Sequence, residues 1–412
     1  MFRKTITNGH EDHQIKVGRI GQFLDLLVQK YVKILTNKKL NTMSKLTNKI
    51  KNLFRKERPE DQAMPSESEP IQMQQQMYRE AFFDESNVGA TPPPNVPEQQ
   101  QYSYSNEEIK TLKEMLLNHV EQLNFEAVPE YNNGIQAFKI ASPAEFSKPL
   151  IELGKGLEEK VVEVVEISES GSVNNLKVVN KSNKFLLIYE GSLLEGEKQN
   201  RVVNTTLLLE PESETVIPVS CVEQGRWERK TQGFSKPDYD GNSAMRRSLK
   251  KQIMMQKRGY SASQREIWDE VAKFATKEKM SNKTSDYSDY YQNSKKENFV
   301  FKKGLNFKTK GVFVRAYNED YLDYVNDQAA FSEVLERVSK GYEVDQKEKL
   351  AEPITEPKVY FKDILNEAHQ DLLVQDSVGL GKDIRFEMTH HYVSVLQVED
   401  EVLALSFCKK EG

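Results

Sequence analysis

Between about residues 134 and 223 the chain is written in short apolar runs: IQAFKI, KVVEVVEIS, LKVVN, FLLIYE, RVVNTTLLL and TVIPVSCV. Runs of this length, rich in Val, Ile, Leu and Thr, predict strands. Turn-forming clusters at 169–172, 180–183 and 210–213 separate them. Links so short favour antiparallel pairing over crossover helices. The period is helical on both flanks. Upstream, Ile109, Leu112, Met115, Leu116, Val120 and Leu123 form one stripe behind a capping box of Ser105 and Glu108, which predicts a helix over 104–125. Downstream, Ser263 and Glu266 open a helix carrying Ile267, Val271 and Phe274. Residues 311–317 read as a strand, 328–341 and 361–373 as helices, and HYVSVLQV and EVLALSF as a closing pair of strands joined by an acidic turn. The Ser/Asn/Tyr/Lys-rich stretch 279–297 is expected to be a mobile loop. The fold class expected is α+β: an antiparallel, sandwich-like sheet core with packed helices, forming one domain over 130–412.

The first hundred residues lack that patterning. Residues 1–58 hold 14 Lys/Arg against four Asp/Glu. Within them Val17, Ile20, Phe23, Leu24, Leu27, Tyr31 and Leu35 fall at helical spacing. A basic amphipathic arm of this kind can contact an anionic membrane surface or a protein partner, or it can lie upstream of a true start at Met43. The sequence leaves these open. Residues 59–103 are rich in Pro, Gln and Ser and read as a disordered linker. Apolar residues make up 37% of the chain and charged residues 29%, against about 45–50% and about 25% in ordinary globular domains. The net charge of −5 leaves an acidic body once the basic arm is set aside. An acidic body argues against binding duplex nucleic acid, which needs a basic face. Cys221 and Cys408 are the two cysteines. With no disulfide framework, no signal-peptide pattern and no run long enough to span a bilayer, the expected location is cytoplasmic.

The densest polar stretch is 189–227. A hairpin about the 210–213 turn would set Leu209 opposite Glu214, Arg201 opposite Val222 and Asn200 opposite Glu223. The preceding hairpin would close through 191–198 at the same end. The expected site is therefore one sheet edge bearing Glu190, Glu195, Gln199, Asn200, Arg201, Asn204, Glu223, Arg226 and Trp227. Two guanidinium forks suit phosphate or carboxylate. The amides donate and accept, and the indole offers a stacking face. Glycines 191, 196 and 225 admit a close approach. A nucleotide-like anion is the candidate ligand. The competing reading pairs Arg201 and Arg226 with Glu190, Glu195 or Glu223 to brace the loops, and has Trp227 plug the sheet end.

Catalytic patterns are thinner. Glu190 and Glu195 can do acid–base work, or hold a divalent ion with Glu223. No HExxH, CxxC or Walker spacing is present, so no metal centre and no cofactor is assigned. Cys221 shares strand parity with Ile217 and Val219, which predicts a buried structural thiol. His119 beside its helical stripe reads as a packing histidine. His390 and His391 point to opposite faces of a strand, and GLGKD at 379–383 reads as a turn.

The segments EGSLLEGEKQNR and PVSCVEQGRW, with REIWDEVAKF, AAFSEVLERVSKGYEVD and YVSVLQVEDEVLALSF, resemble the bacterial domain family named for its association with ADP-ribosylglycohydrolase and rhodanese-phosphatase proteins. The resemblance covers about 130–408. It departs at Glu197, where relatives carry a small residue, and in LALSF, where a histidine is expected. The family is one of unknown function. The resemblance implies a setting in ADP-ribose or phospho-ligand metabolism, and whether this chain is an enzyme is left open. Three readings stand: a binder of an anionic nucleotide- or ADP-ribose-like ligand, a carboxylate- or metal-dependent hydrolase, and a structural or interaction protein.

Overall fold

In the computed structural model the chain divides into two units, 1–88 and 89–412. The residues described are 105–128, 135–168, 171–256, 258–294, 309–316, 319–342, 352–367 and 371–411. The arm and linker expected over 1–103 lie outside them.

The helix α1 (Asn106–Gln122) starts as its sequence predicts. Ser105 accepts from the Glu108 amide while the Glu108 carboxylate accepts from the Ser105 amide, satisfying two end donors at once. Two antiparallel strands follow, β1 (Asn124–Ala127) and β2 (Ile135–Ala141). They join β12 (Gly311–Ala316), β13 (Glu319–Val325), β14 (Asp371–Asp376), β15 (Lys382–Glu387), β16 (His391–Val398) and β17 (Glu401–Lys409) in one eight-stranded sheet, ordered β1-β2-β12-β13-β17-β16-β15-β14. One face packs α1 and α7 (Pro357–Asn366), the latter through Phe361, over Phe138, Phe313 and Phe407. The other face receives α6 (Gln328–Val338) through Phe331, Val334 and Val338.

The middle of the chain builds two smaller sheets. One has the order β11-β7-β8-β10-β5-β4, with β4 Val162–Glu166, β5 Asn175–Asn180, β7 Leu193–Gly196, β8 Arg201–Val203, β10 Ser213–Cys221 and β11 Phe234–Ser235. The other joins β3 (Leu150–Glu152), which runs into the short helix α2 (Leu153–Glu158), with β6 (Phe185–Ile188) and β9 (Leu207–Leu209). The α+β class is as the sequence predicts. Pairing is antiparallel except between β3 and β6.

Several local expectations give way. The 210–213 turn does not close a β9–β10 hairpin. Leu209 lies opposite Leu186, and the first half of β10 pairs with β5. The true hairpin is long: Leu186 opposite Leu209 and Leu193 opposite Val202 share one register, bent at 189–192 so that its halves enter different sheets. The bend uses Gly191 at φ +81, where a Cβ would sit 2.7 Å from Arg246 Cγ. The helix expected over 361–373 ends at Asn366, because Leu372 to Val374 are claimed by pairing with β15. Within the supposed loop 279–297 lies a short helix, α5 (Tyr287–Asn293), whose Tyr287, Tyr290 and Tyr291 are buried. Helix α3 (Ser243–Gln256) was not foreseen. Its buried face carries Arg246, Arg247 and Lys250 among Met245, Leu249 and Ile253, so charge hides its apolar stripe. α3 packs against α4 (Gln264–Glu278) and lies across β15, β16 and β17.

Candidate functional site

The register decides where the expected site residues go. Cys221, not Val222, lies opposite Arg201, and Leu194 lies opposite it on the other side. A slip of one residue turns a side chain to the other face of a sheet. Arg201 therefore shares the core face with Cys221 and is fully buried instead of standing on a rim. Its Nη1 donates to the Gln199 carbonyl at 2.9 Å, and its Nη2 to Glu166 Oε1 and the Ser172 carbonyl, each at 3.4 Å. Trp227 covers it, with the guanidinium carbon 5.7 Å from the ring and the Lys198 ammonium 5.4 Å away.

Arg226 lies beside this plug and is equally committed. Its Nε and Nη2 grip Glu223 at 2.8 and 2.7 Å. Nη1 donates to the carbonyls of Glu197 and Glu228, and Nη2 also reaches the Gly196 carbonyl. Glu223 in turn accepts from the Asn200 amide at 3.2 Å. Gln199 bonds the Gln224 carbonyl. Asn204 is spent on the Tyr260 carbonyl at 2.8 Å and on Ser220. Glu197 is buried at φ +40, accepts from the Gly233 amide at 2.7 Å and pairs with Arg229. Gly225 admits the Thr284 backbone, so the close approach is made by the chain itself.

Six of the nine expected residues thus meet at this edge or in its immediate braces, Gln199, Asn200, Arg201, Glu223, Arg226 and Trp227, while Asn204 is bonded to Tyr260 and Ser220 instead. Asp286, which the sequence did not single out, joins them. It receives both its oxygens' bonds from Asn200 Nδ2, at 3.0 and 3.2 Å, and caps α5 through the Ser288 amide. Burial, then the nearby Glu223 carboxylate, raise its carboxyl to about 6. Glu195 contributes to that field from the strand β7, where it accepts from the Tyr239 hydroxyl at 2.7 Å. Among the described residues no group of three or more His, Cys, Asp or Glu is placed to hold a metal.

Glu190 is the departure. It points away from the edge, into a second polar network beneath α3, so Glu190 and Glu195 do not form the carboxylate pair considered above. Glu190 pairs with Lys250 and Arg246 and accepts from Ser394 Oγ at 3.0 Å. Arg246 also forks onto Asp323, which further accepts from the Tyr189 and Tyr342 hydroxyls. The eight-stranded sheet supplies the floor by its register: Asp323, Ser406, Ser394 and Arg385 are successive cross-strand partners on β13, β17, β16 and β15. A polar row therefore crosses four strands of an otherwise apolar face. Burial lowers the Lys250 ammonium to about 8. In the sequence, Ser406 is the polar residue that interrupts the apolar run of LALSF.

The remaining sequence readings fall into the packing. Cys221 is buried, and burial raises its thiol to about 11. His119 stacks edge-on against Tyr324 at 5.3 Å, and burial lowers it to about 4. His391 is buried with Nε2 3.3 Å from Asp320, while His390 is exposed. GLGKD forms the turn between β14 and β15.

The model of one protein family, described as the ARG and Rhodanese-Phosphatase-superfamily-associated Protein domain, matches residues 122–408. No curated protein and no solved structure matches the chain.

Proposed function

Since the chain belongs to the family of ARG and Rhodanese-Phosphatase-superfamily-associated Protein domains, we propose that it serves as an interaction module whose polar edge is an internal brace. The observation carrying this reading is the commitment of both guanidinium groups. Every nitrogen of Arg226 donates to an acceptor of the same chain, and both terminal nitrogens of Arg201 do the same inside a fully buried site. A phosphate would have to displace these bonds and leave Glu166 or Glu223 as unpaired buried carboxylates, which is costly. A family described as associated with enzymes fits an accessory role, on grounds of association alone. The test is a thermal-shift series with ADP-ribose, ADP and AMP. The brace predicts no stabilisation by any of them and a lower melting temperature for Arg226→Ala. A ligand-dependent rise that Arg226→Ala abolishes would overturn it.

A second reading keeps an anionic ligand, placed on the outside of the edge. Trp227, Lys198 and Arg226 are partly exposed there, beside the exposed Arg229 and Lys230. Such a ligand would bind through surface charge and stacking, so its affinity would fall steeply with salt. The hydrolase alternative finds its best general acid in Asp286, the carboxyl lifted toward neutrality. It predicts release of ADP-ribose from a modified peptide, lost on Asp286→Asn.

A further inference from the structure

The network beneath α3 has two halves. Glu190, Lys250, Arg246, Asp323, Ser394 and Ser406 form one. Thr205, Asp383 and Arg385 form the other: Arg385 Nε and Nη2 grip Asp383 at 2.9 Å each, and Nη2 also reaches Thr205 Oγ1 at 2.7 Å. Among the described residues no side-chain hydrogen bond joins the halves. Both border one cavity of about 10 Å³, lined by Glu190, Thr205, Thr206, Arg385, Ser394 and Ser406 among others. Arg385 is 2% exposed, and its Nη1 has no hydrogen-bond partner within the protein. A buried guanidinium nitrogen left unbonded costs free energy.

We propose that this cavity binds a single water molecule, which accepts from Arg385 Nη1 and donates toward Ser394 Oγ and Glu190, joining the two halves into one network. The volume admits one water and little more, and a buried water needs two to four polar partners. Charge balance excludes the alternatives. Arg246, Lys250 and Arg385 face Glu190, Asp323 and Asp383, so the surroundings are close to neutral. An anion would meet Glu190 and Asp383, and a cation would meet Arg385 and Lys250. A molecule that both donates and accepts meets neither penalty. Its role is to tie the bent hairpin carrying Glu190 and Thr205 to β15 and β16, where the chain turns from one sheet to the next.

The test is a crystal structure of the full chain at a resolution that defines ordered water, grown in bromide, with anomalous data collected. The proposal expects a density peak within hydrogen-bond distance of Arg385 Nη1, without anomalous signal, and its loss in Arg385→Met. An anomalous peak at that position would identify a halide site, and featureless density would mean the cavity is dry. Either result overturns the proposal, and neither bears on the polar edge.

Discussion

At the scale of single residues, the molecule turns on one slip of register. Composition identified Arg201, Glu223, Arg226 and Trp227 as a cluster, because polar groups this dense between apolar strands must meet somewhere. It could not tell whether Arg201 faced solvent or core, because the two answers differ by one position in a strand pairing. The structure gives the core, and this fixes the consequence of removing it. Arg201→Met strands Glu166, whose side chain is 1% exposed, without its cation. Breaking a buried pair from one side costs about 3 kcal/mol, which urea unfolding would register as a lower midpoint at unchanged slope. Asp286 makes a second prediction. Its folded carboxyl titrates near 6, above the value of about 3.9 expected when unfolded. The folded state therefore holds the proton more tightly, and the group's contribution to stability falls as pH rises from about 4 to about 6. Asp286→Asn removes that penalty while keeping an acceptor for the Ser288 amide. At pH 8 the variant should be more stable by ~1 kcal/mol, after allowing for solvent screening at this half-buried site. Denaturation at pH 4.5 should show the gain shrinking. A gain of equal size at both values would remove the titration from the explanation.

At the scale of elements, what was legible followed a clean period. The α1 capping box, the helix opened by Ser263 and the β16–β17 pair all carry undisturbed patterns, and all form as expected. What was not legible has mixed patterns. α3 was not foreseen because three of its inward positions are Arg246, Arg247 and Lys250, which pair with the carboxylates beneath them and break its apolar stripe. The β14 strand continues directly from a helical period, and only its partner β15 decides against helix. The long bent hairpin was divided at the wrong turn, since sequence shows turn residues and not which strands they join. Two substitutions test the elements. Ser263→Ala removes the side-chain acceptor for the Glu266 amide at the start of α4, and should cost about 1 kcal/mol. Gly381 stands at φ +90 in the β14–β15 turn, where a Cβ would fall 2.1 Å from the Gln397 carbonyl oxygen. Gly381→Ala should cost ~2 kcal/mol or more through strain alone, read as a fall in melting temperature.

At the scale of the whole molecule, the family match over 122–408 falls within the unit 89–412. A fragment of residues 89–412 should therefore unfold in one cooperative transition, at the midpoint that the full chain shows for this unit. Within the unit the two polar networks lie where sheets hand over to one another: the edge at the end of β8 and β10, and the row beneath α3 at the bend of the long hairpin. Surface patterning cannot report such interior joints, which explains why the sequence assigned Glu190 to the first and did not foresee the second. Among the described residues no helix is long and apolar enough to cross a membrane. The central claim is that the arginines of the edge are held by their own chain. It is tested most directly by a double-mutant cycle of Arg226→Met and Glu223→Gln, followed by urea unfolding. The brace predicts a coupling of about 2 kcal/mol or more. Additive effects near zero, with the single variants as stable as the parent, would contradict it.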